Sequence, residues 1–511
     1  MFVRKLFLAA LAMLVPLAAG AATRCDAVLA AFGNKLVDAT CFEKGDLTTN
    51  GDFTDANLTT PANNSIAGLP PGAFTPNTDR NVISPNPPNR TPITKVVPGI
   101  QLDARFADDP TGEARFLIRL PDDWNGNLVV AGASGTRSEF NGDFAWSDYV
   151  VQKGYAYASQ NKGVLNLKIV SLSSPLPPAS DPAPCRLNPA SSIWVHFFDN
   201  DPEKPFTQWT QYMIEAAQFA RQAVKANYHH YPTRTYAVGT SNGGYQVRRA
   251  IEEAPDLFDG GVDWEGTFID PSGPNILIDL PPAIKNFPNY VASGFDPNSA
   301  AAQNIVAAGY PPDIVLPPVP PSVTPRSLWA NYWAQFWEVT QCQWQKRFDP
   351  TWQTYFDGLN DVTGTGGYDY FARAALDPSI VAQLGAVATT GKIKKPLITV
   401  AGTMDALLPI KRGARAYEAV VNASRNGNND QREAQYRLYE VQNGNHIETF
   451  KNPFTQLEFI QPHAQKAFDL LVDHVENNAA LPPSQCIARG AAITAAPTPA
   501  QAGHCADLLA P

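Results

Sequence analysis

Patterns that would indicate a metal, a membrane or a nucleic acid are missing from this sequence. It contains neither a Cys-x-x-Cys pair nor a His-Glu-x-x-His motif, so we expect no metal in its functional site. After the first residues, no apolar run is long enough to cross a bilayer. Lys and Arg together number 39 against 48 Asp and Glu, and the net charge of −9 argues against a nucleic-acid partner.

The composition is that of a protein with a large core. Hydrophobic residues make up 44% of the 511 residues and charged residues only 17%. This balance excludes a disordered or fibrous chain. The length suits one large domain with insertions, or two or three ordinary domains.

The first 22 residues have the pattern of a secretory signal peptide. Arg4 and Lys5 precede an apolar stretch, Leu6–Leu17, and small residues follow at 19–22. We therefore expect an exported protein, either periplasmic or secreted, with no membrane span.

The six cysteines are consistent with export, because exported proteins keep disulfides. The sequence alone cannot choose among the pairings, and some cysteines staying free and buried is the alternative. Two pairs are separated by short loops, which favours their bonding, and the remaining two cysteines are then left for each other. The expected pairs are Cys25–Cys41, Cys486–Cys505 and Cys185–Cys342.

Short apolar runs alternate with amphipathic helical stretches along the middle of the chain. This alternation predicts an α/β protein with a mostly parallel central sheet and helices on both faces. The sequence divides into an irregular N-terminal arm at 23–98, a catalytic domain at 99–265 and 391–511, and an inserted cap at 266–390.

The segment around Ser241 is the most informative part of the sequence. Gly239–Gly243 reads Gly-x-Ser-x-Gly, with a predicted strand before it and a predicted helix after it, as in the nucleophile elbow of serine hydrolases. The helix also contains Arg248 and Arg249, which we expect to pair with the glutamates four residues later. The alternative is a phosphate-binding or simply tight strand-to-helix turn.

A nucleophilic serine needs a base and an acid, which follow it in the order acid, then histidine, in this architecture. Asp405 directly follows a predicted buried strand, and His446 lies in the loop after the last predicted strand. We expect Asp405 to orient His446, which activates Ser241. The alternatives are Glu440 for the acid and His463, His474 or His504 for the base, or ordinary loop roles for Asp405 and His446.

An oxyanion that develops on the substrate needs backbone N–H donors. Asn242 follows the serine at the start of the helix and is expected to supply the first. The second is expected from Ala133 or Ser134, in a glycine-rich loop after an earlier strand. A plain glycine turn is the alternative there.

A family resemblance rests on six stretches of the sequence: Phe116–Gly132, Gly154–Gly163, Gly239–Gly244, Phe258–Val262, Ala401–Pro409 and Gly444–Phe450. In these stretches the chain resembles the tannase and feruloyl-esterase family of α/β-hydrolases. The resemblance implies an α/β-hydrolase fold with a large cap, and an exported serine esterase for tannase-, feruloyl- or phthalate-type aromatic esters.

The sequence departs from that family at two positions. The family commonly has a cysteine before the nucleophile and another after the base, bridged to each other. Here Thr240 and Ile447 occupy those positions. The chain therefore resembles a divergent branch, and polyester-oligomer hydrolases of the hydroxyalkanoate type remain an alternative.

The cap is rich in tryptophan. Trp333 and Trp337 within it, and Trp264 at the end of a strand, are candidate substrate-binding residues for an aromatic acyl group. The alternative is that these rings only pack the cap on the core. Asp357–Asp361 is oxygen-rich and is a candidate calcium site, with a solvated turn as the alternative.

The expected activity is hydrolysis of a small-molecule or oligomeric ester through an acyl-enzyme, without redox or nucleotide cofactor. The alternatives are a peptidase or amidase, an acyltransferase, and a non-catalytic binding protein on a hydrolase scaffold.

Overall fold

The computed structural model describes residues 23–51, 91–135, 139–163, 168–171, 185–188, 191–196, 207–352, 367–424 and 435–511. The expected signal peptide and the oxygen-rich stretch Asp357–Asp361 lie outside the described residues, and both stay predictions.

The centre of the molecule is a ten-stranded sheet with the order β1-β2-β3-β5-β4-β9-β10-β13-β14-β15. Its first four strands pair antiparallel, and all the pairs from β5 to β15 are parallel. The described strands are β1 (Leu36–Lys44), β2 (Gly99–Phe106), β3 (Arg115–Pro121), β4 (Asn127–Gly132), β5 (Ala156–Gln160), β6 (Lys168–Ser171), β7 (Cys185–Arg186), β8 (Trp194–His196), β9 (Arg234–Thr240), β10 (Gly260–Trp264), β11 (Val315–Leu316), β12 (Arg326–Ser327), β13 (Leu397–Gly402), β14 (Tyr436–Val441) and β15 (Gln485–Ile487).

Helices connect the parallel strands. The described α-helices are α1 (Arg24–Ala30), α2 (Asp148–Val151), α3 (Thr207–Tyr228), α4 (Asn242–Glu253), α5 (Ile276–Ala292), α6 (Ala300–Ala307), α7 (Leu328–Tyr332), α8 (Glu338–Phe348), α9 (Tyr370–Leu376), α10 (Ser379–Val387), α11 (Ala414–Ser424) and α12 (Gln461–Asn477). Single wide π-helical turns precede α2 and α8.

The parallel strands are apolar on both faces because helices cover both. On β4, Leu128 and Val130 pack in one core, and Val129 and Ala131 pack in the core on the opposite face. Helices α3, α4 and α11 contribute to the first core, and α2 and α12 contribute to the second. The fold is that of an α/β-hydrolase, as the sequence predicted.

The N-terminal arm is more regular than expected. Within 23–51 the chain forms α1 and then β1, which pairs with β2 and becomes the edge strand of the main sheet. The prediction missed β1 because its side chains are only half-buried, and because a register shift between Val37 and Thr40 interrupts the alternation.

The segment between β10 and β13 leaves the sheet and forms helices α5–α10. Its core contains the fully buried rings of Trp329, Trp337 and Trp344. This helical segment occupies the range expected for the cap.

A buried ion pair fastens α4 to the sheet, in place of one of the expected surface pairs. Arg248 does not pair with Glu252; its Nε donates to Asp263 on β10 at 2.5 Å, and neither side chain is exposed. Glu252 instead accepts from the backbone N–H groups of Thr390 and Gly391. The expected Arg249–Glu253 pair is present.

The three expected disulfides, Cys25–Cys41, Cys185–Cys342 and Cys486–Cys505, are all present. Among the described residues, no helix combines the length and the apolar character that crossing a membrane requires.

We predict that Asp263→Ala destabilises the protein by about 3–5 kcal/mol, because it leaves the buried Arg248 guanidinium without its counter-charge. Glu253→Ala is the control, since it removes the more exposed ion pair of the same helix and should cost no more than about 1 kcal/mol. Urea denaturation of both variants measures the difference. Equal losses of unfolding free energy in the two variants would contradict the role given to the buried pair.

Candidate active site

Ser241 lies on a sharp turn between β9 and α4. Its φ is 59° and its ψ is −121°, a backbone conformation that non-glycine residues rarely adopt and that clusters at functional sites. The turn requires glycine on both sides. A Cβ on Gly239 would lie 2.3 Å from the carbonyl oxygen of Gly243, and a Cβ on Gly243 would lie 2.5 Å from that of Gly132.

Ser241, His446 and Asp405 form a hydrogen-bonded relay. His446 Nε2 is 3.0 Å from Ser241 Oγ, and His446 Nδ1 is 2.8 Å from Asp405 Oδ2. The other oxygen of Asp405 accepts from the N–H groups of Leu407 and Leu408, which fixes the carboxylate. The three residues follow β9, β14 and β13, so the carboxyl ends of three parallel strands bring them together.

The alternative acid and bases lie elsewhere. Glu440 accepts from Arg415 and His504, at 2.7 and 2.8 Å, in a separate network beside the C-terminal disulfide. Burial alone would raise the pKa of Glu440, but these hydrogen bonds lower it. His463 and His474 are on α12, and His474 contacts the carbonyl of Ala479.

The electrostatics of the relay favour a strongly basic imidazole. Burial alone would lower the pKa of His446, but Asp405 and the neighbouring Glu265 outweigh it and raise the pKa to about 9. Both carboxyl groups stabilise the imidazolium that forms when the ring takes a proton.

Glu265 is the site residue that the sequence interpretation missed. It directly follows β10, its φ is 53°, and its carboxyl group is buried. One oxygen accepts from Gly402 N–H at 2.9 Å, and the other lies 3.5 Å from His446 Nδ1. Its place at the carboxyl end of a strand next to that of Asp405 was the available signal.

Glu265, Asp405 and His446 have ligand atoms within 4.8 Å of one another, a spacing at which a metal ion can bind. The hydrogen bond between Nδ1 and Asp405 occupies the nitrogen that faces both carboxyl groups. The arrangement therefore fits proton transfer better than metal binding.

The expected oxyanion donors differ in their surroundings. Asn242 is the first residue of α4, where helix geometry leaves an N–H without an intrahelical acceptor. The N–H of Ala133 donates to Gln246 at 2.9 Å, and the N–H of Ser134 donates to Asn141 at 2.6 Å. Neither is free in this structure, so an oxyanion would have to displace a side-chain oxygen to use them.

A buried lysine supports the same loop. Lys162, just after β5, donates to the carbonyl oxygens of Ala133, at 3.1 Å, and Ser134. Its ammonium also lies 5.1 Å from the ring centre of Trp209, within the range of a cation–π contact. These contacts fix the loop that faces the elbow.

Two of the three candidate substrate-binding tryptophans are packing residues. Trp264 is 4% exposed and contacts Trp146 edge-on in the hydrophobic core. Trp337 has no exposed surface because it packs in the cap core, and its Nε1 donates to Ala406 O at 2.6 Å. Trp333 is only partly buried and stacks on Phe287, with the ring centres 5.4 Å apart.

Part of the chain is similar to a known hydrolase family. Residues 362–508 match the model of the 3HB-oligomer hydrolase family. The curated relatives include D-(-)-3-hydroxybutyrate oligomer hydrolases from Burkholderia thailandensis, 37% identical over 97 residues, and Burkholderia mallei, 38% identical over 96 residues. Each alignment covers 18% of this chain, and the chain spans only 13% of the length of those relatives. The family match includes Asp405 and His446 and leaves out Ser241.

The solved structures to which the chain is similar include feruloyl esterase B from Aspergillus oryzae and tannin acyl hydrolase from Aspergillus niger. Each is 13% identical with a TM-score of 0.46, covering 90% of this chain and 91% and 87% of the other chains. At this level the likeness carries no argument about activity. The fold assignment depends on the strand order and on the strand–turn–helix geometry at Ser241.

We predict that His446 loses its imidazolium proton near pH 9, well above the ordinary value of 6.5. Asp405→Ala should lower this pKa, because only the Glu265 carboxyl group then counteracts the effect of burial, which lowers the pKa of His446. NMR titration of ¹⁵N-histidine-labelled protein measures both. His463 is the internal control, because its burial lowers its pKa. A His446 pKa at or below 6.5 in the wild type would contradict the electrostatics described.

Proposed function

We propose that this protein is a serine hydrolase of carboxylic esters that works through an acyl-enzyme. The observation that supports it is the relay, in which the three side chains have the spacing and order that acyl transfer needs. The strained turn at Ser241 supports it further, because it presents the hydroxyl at the start of α4.

The chemistry uses this chain's own groups. Ser241 Oγ attacks the ester carbonyl while its proton moves to His446 Nε2. The tetrahedral intermediate carries an oxyanion, which accepts from Asn242 N–H. The intermediate collapses when His446 delivers the proton to the leaving alcohol, which leaves Ser241 acylated. Water then attacks the acyl-enzyme by the same steps, and the acid product and free Ser241 result.

An ester is the preferred substrate class for two reasons. The family model that matches the acid and base region is named for 3HB-oligomer hydrolases, and the curated relatives are named as hydroxybutyrate oligomer hydrolases, whose substrates are esters. The chain also resembles an esterase family in its motifs. The same relay serves a peptidase, an amidase or an acyltransferase, so the leaving group must be tested directly. An intact relay argues against a non-catalytic binding protein.

Esters of aromatic acids are the first candidate substrates. The resemblance to the tannase and feruloyl-esterase family supports this choice. So do two partly exposed aromatic side chains of the cap, Trp333 and Phe336.

Oligomers of 3-hydroxybutyrate are the second candidate. The match of residues 362–508 to the family of hydrolases for these oligomers supports it. That match includes the last two cap helices, α9 and α10, as well as the acid and the base.

Export to the periplasm or the medium is part of the proposal. The signal-peptide pattern of residues 1–22 supports it, and three disulfides fit an oxidising compartment.

We expect Ser241→Ala to fold normally and to lose covalent labelling by a fluorophosphonate, because the attacking oxygen is gone. Labelling of the wild type should be stoichiometric. Intact-protein mass spectrometry measures both, with circular dichroism as the folding control. Stoichiometric labelling of Ser241→Ala would place the nucleophile elsewhere.

We expect kcat/KM for methyl ferulate to exceed that for a 3-hydroxybutyrate trimer, and Trp333→Ala to raise KM for the ferulate. Hydrolysis of p-nitrophenyl acetate by that variant should stay near the wild-type rate, because the relay is unchanged. Trp337→Ala is the matched control; it should lose stability and all activities together. A higher kcat/KM for the trimer would contradict the aromatic-ester candidate and favour hydroxybutyrate oligomers as the substrates.

A further inference from the structure

Two carboxyl groups face the same nitrogen of His446. Asp405 Oδ2 is 2.8 Å from Nδ1, and Glu265 Oε2 is 3.5 Å from it. Within the described part of the chain, Glu265 Oε2 has no hydrogen-bond partner. A buried carboxyl oxygen without a partner is costly, and this one lies beside the only ring nitrogen that faces away from Ser241.

The backbone holds Glu265 in this position. Its N–H donates to Val400 O at 2.9 Å, and its Oε1 accepts from Gly402 N–H, so it is tied at two points to β13, the strand that precedes Asp405. Its φ of 53° lies in the left-handed region that residues other than glycine rarely adopt. The next N–H, of Gly266, donates to Asp263 at 2.7 Å, which anchors the turn to the buried ion pair.

The charges of the three groups are linked. Burial and then the Asp405 charge raise the pKa of Glu265 well above its ordinary value, whereas His446 lowers it. In return, Glu265 helps to raise the pKa of His446. The ionisation of Glu265 and that of His446 therefore depend on each other.

We infer that Glu265 is a second acid of the relay, a positioning residue that shares with Asp405 the orientation of the His446 ring and can replace Asp405 when that carboxylate is removed. This inference rests on the proposed function for its kinetic test. No proton moves at Nδ1 in either case. The Nδ1–H is held by one carboxyl group or the other, while Nε2 exchanges the proton of Ser241.

The test is a double-mutant cycle on kcat for p-nitrophenyl acetate. In a relay with one acid, replacing the aspartate by asparagine costs roughly 10⁴-fold. Here Asp405→Asn should cost only about 10–100-fold because Glu265 accepts the Nδ1–H, and adding Glu265→Gln should bring the loss to roughly 10⁴-fold. Glu265→Asp in the Asp405→Asn background should restore part of the rate that Glu265→Gln removes.

The pH profile separates this role from a purely structural one. Glu265→Gln alone keeps an acceptor for Gly402 N–H but removes a charge near His446, so the acidic limb of kcat/KM should move to lower pH. Glu253→Gln is the control. Glu253 pairs with Arg249 on α4, and its side chain is 40% exposed. The control should leave both the rate and the acidic limb unchanged.

The inference is overturned if Asp405→Asn already loses the full 10⁴-fold and Glu265→Gln neither lowers the rate further nor shifts the acidic limb. If the wild type hydrolyses no ester, the proposed function fails, yet the inference can still be tested. The His446 pKa from NMR should fall in Glu265→Gln and not in Glu253→Gln. An unchanged pKa in Glu265→Gln would reject it without any activity measurement.

Discussion

The close approach of backbone at the Ser241 turn is the constraint on which the rest of the site depends. Glycines at 239 and 243 allow β9, α4 and the end of β4 to meet at distances that a Cβ would prevent. A backbone hydrogen bond ties the turn to the end of β10, since Ser241 N–H donates to Trp264 O at 2.8 Å. The same contact sets the position of the next residue, Glu265. A single strained turn therefore places both the hydroxyl group and one of the carboxyl groups that face His446.

The cap is connected to the catalytic loops by hydrogen bonds as well as by packing. The Trp337 ring donates to the carbonyl oxygen of Ala406, next to Asp405, and the Tyr332 hydroxyl donates to Asn445, next to His446, at 2.8 Å. Tyr332 directly precedes the π-helical turn 333–337 and Trp337 is its last residue, so one short segment contacts both loops. A change in the packing of Trp337 would therefore reach the acid, and a change at Tyr332 would reach the base.

Local patterns predicted much of this arrangement. The buried parallel strands, the elbow, the order of acid and base and the disulfide pairs each follow from a short stretch or a spacing. What was missed depends on contacts between distant segments. Arg248 has a glutamate four residues later, but its side chain is buried and forms its ion pair with Asp263 instead. Glu265 looked like an ordinary residue at the end of a strand, because no neighbouring residue in the sequence indicates that it faces His446.

The central claim is that Ser241 carries the acyl group during turnover, and the acyl-enzyme itself tests it most directly. A p-nitrophenyl carbamate acylates serine hydrolases and leaves slowly, so the adduct should accumulate. We expect release of one p-nitrophenolate per protein and a mass increase of one carbamoyl group, located by peptide mapping on the fragment that contains Ser241. Hydrolysis of esters without such an adduct, or an adduct on another residue, would contradict it.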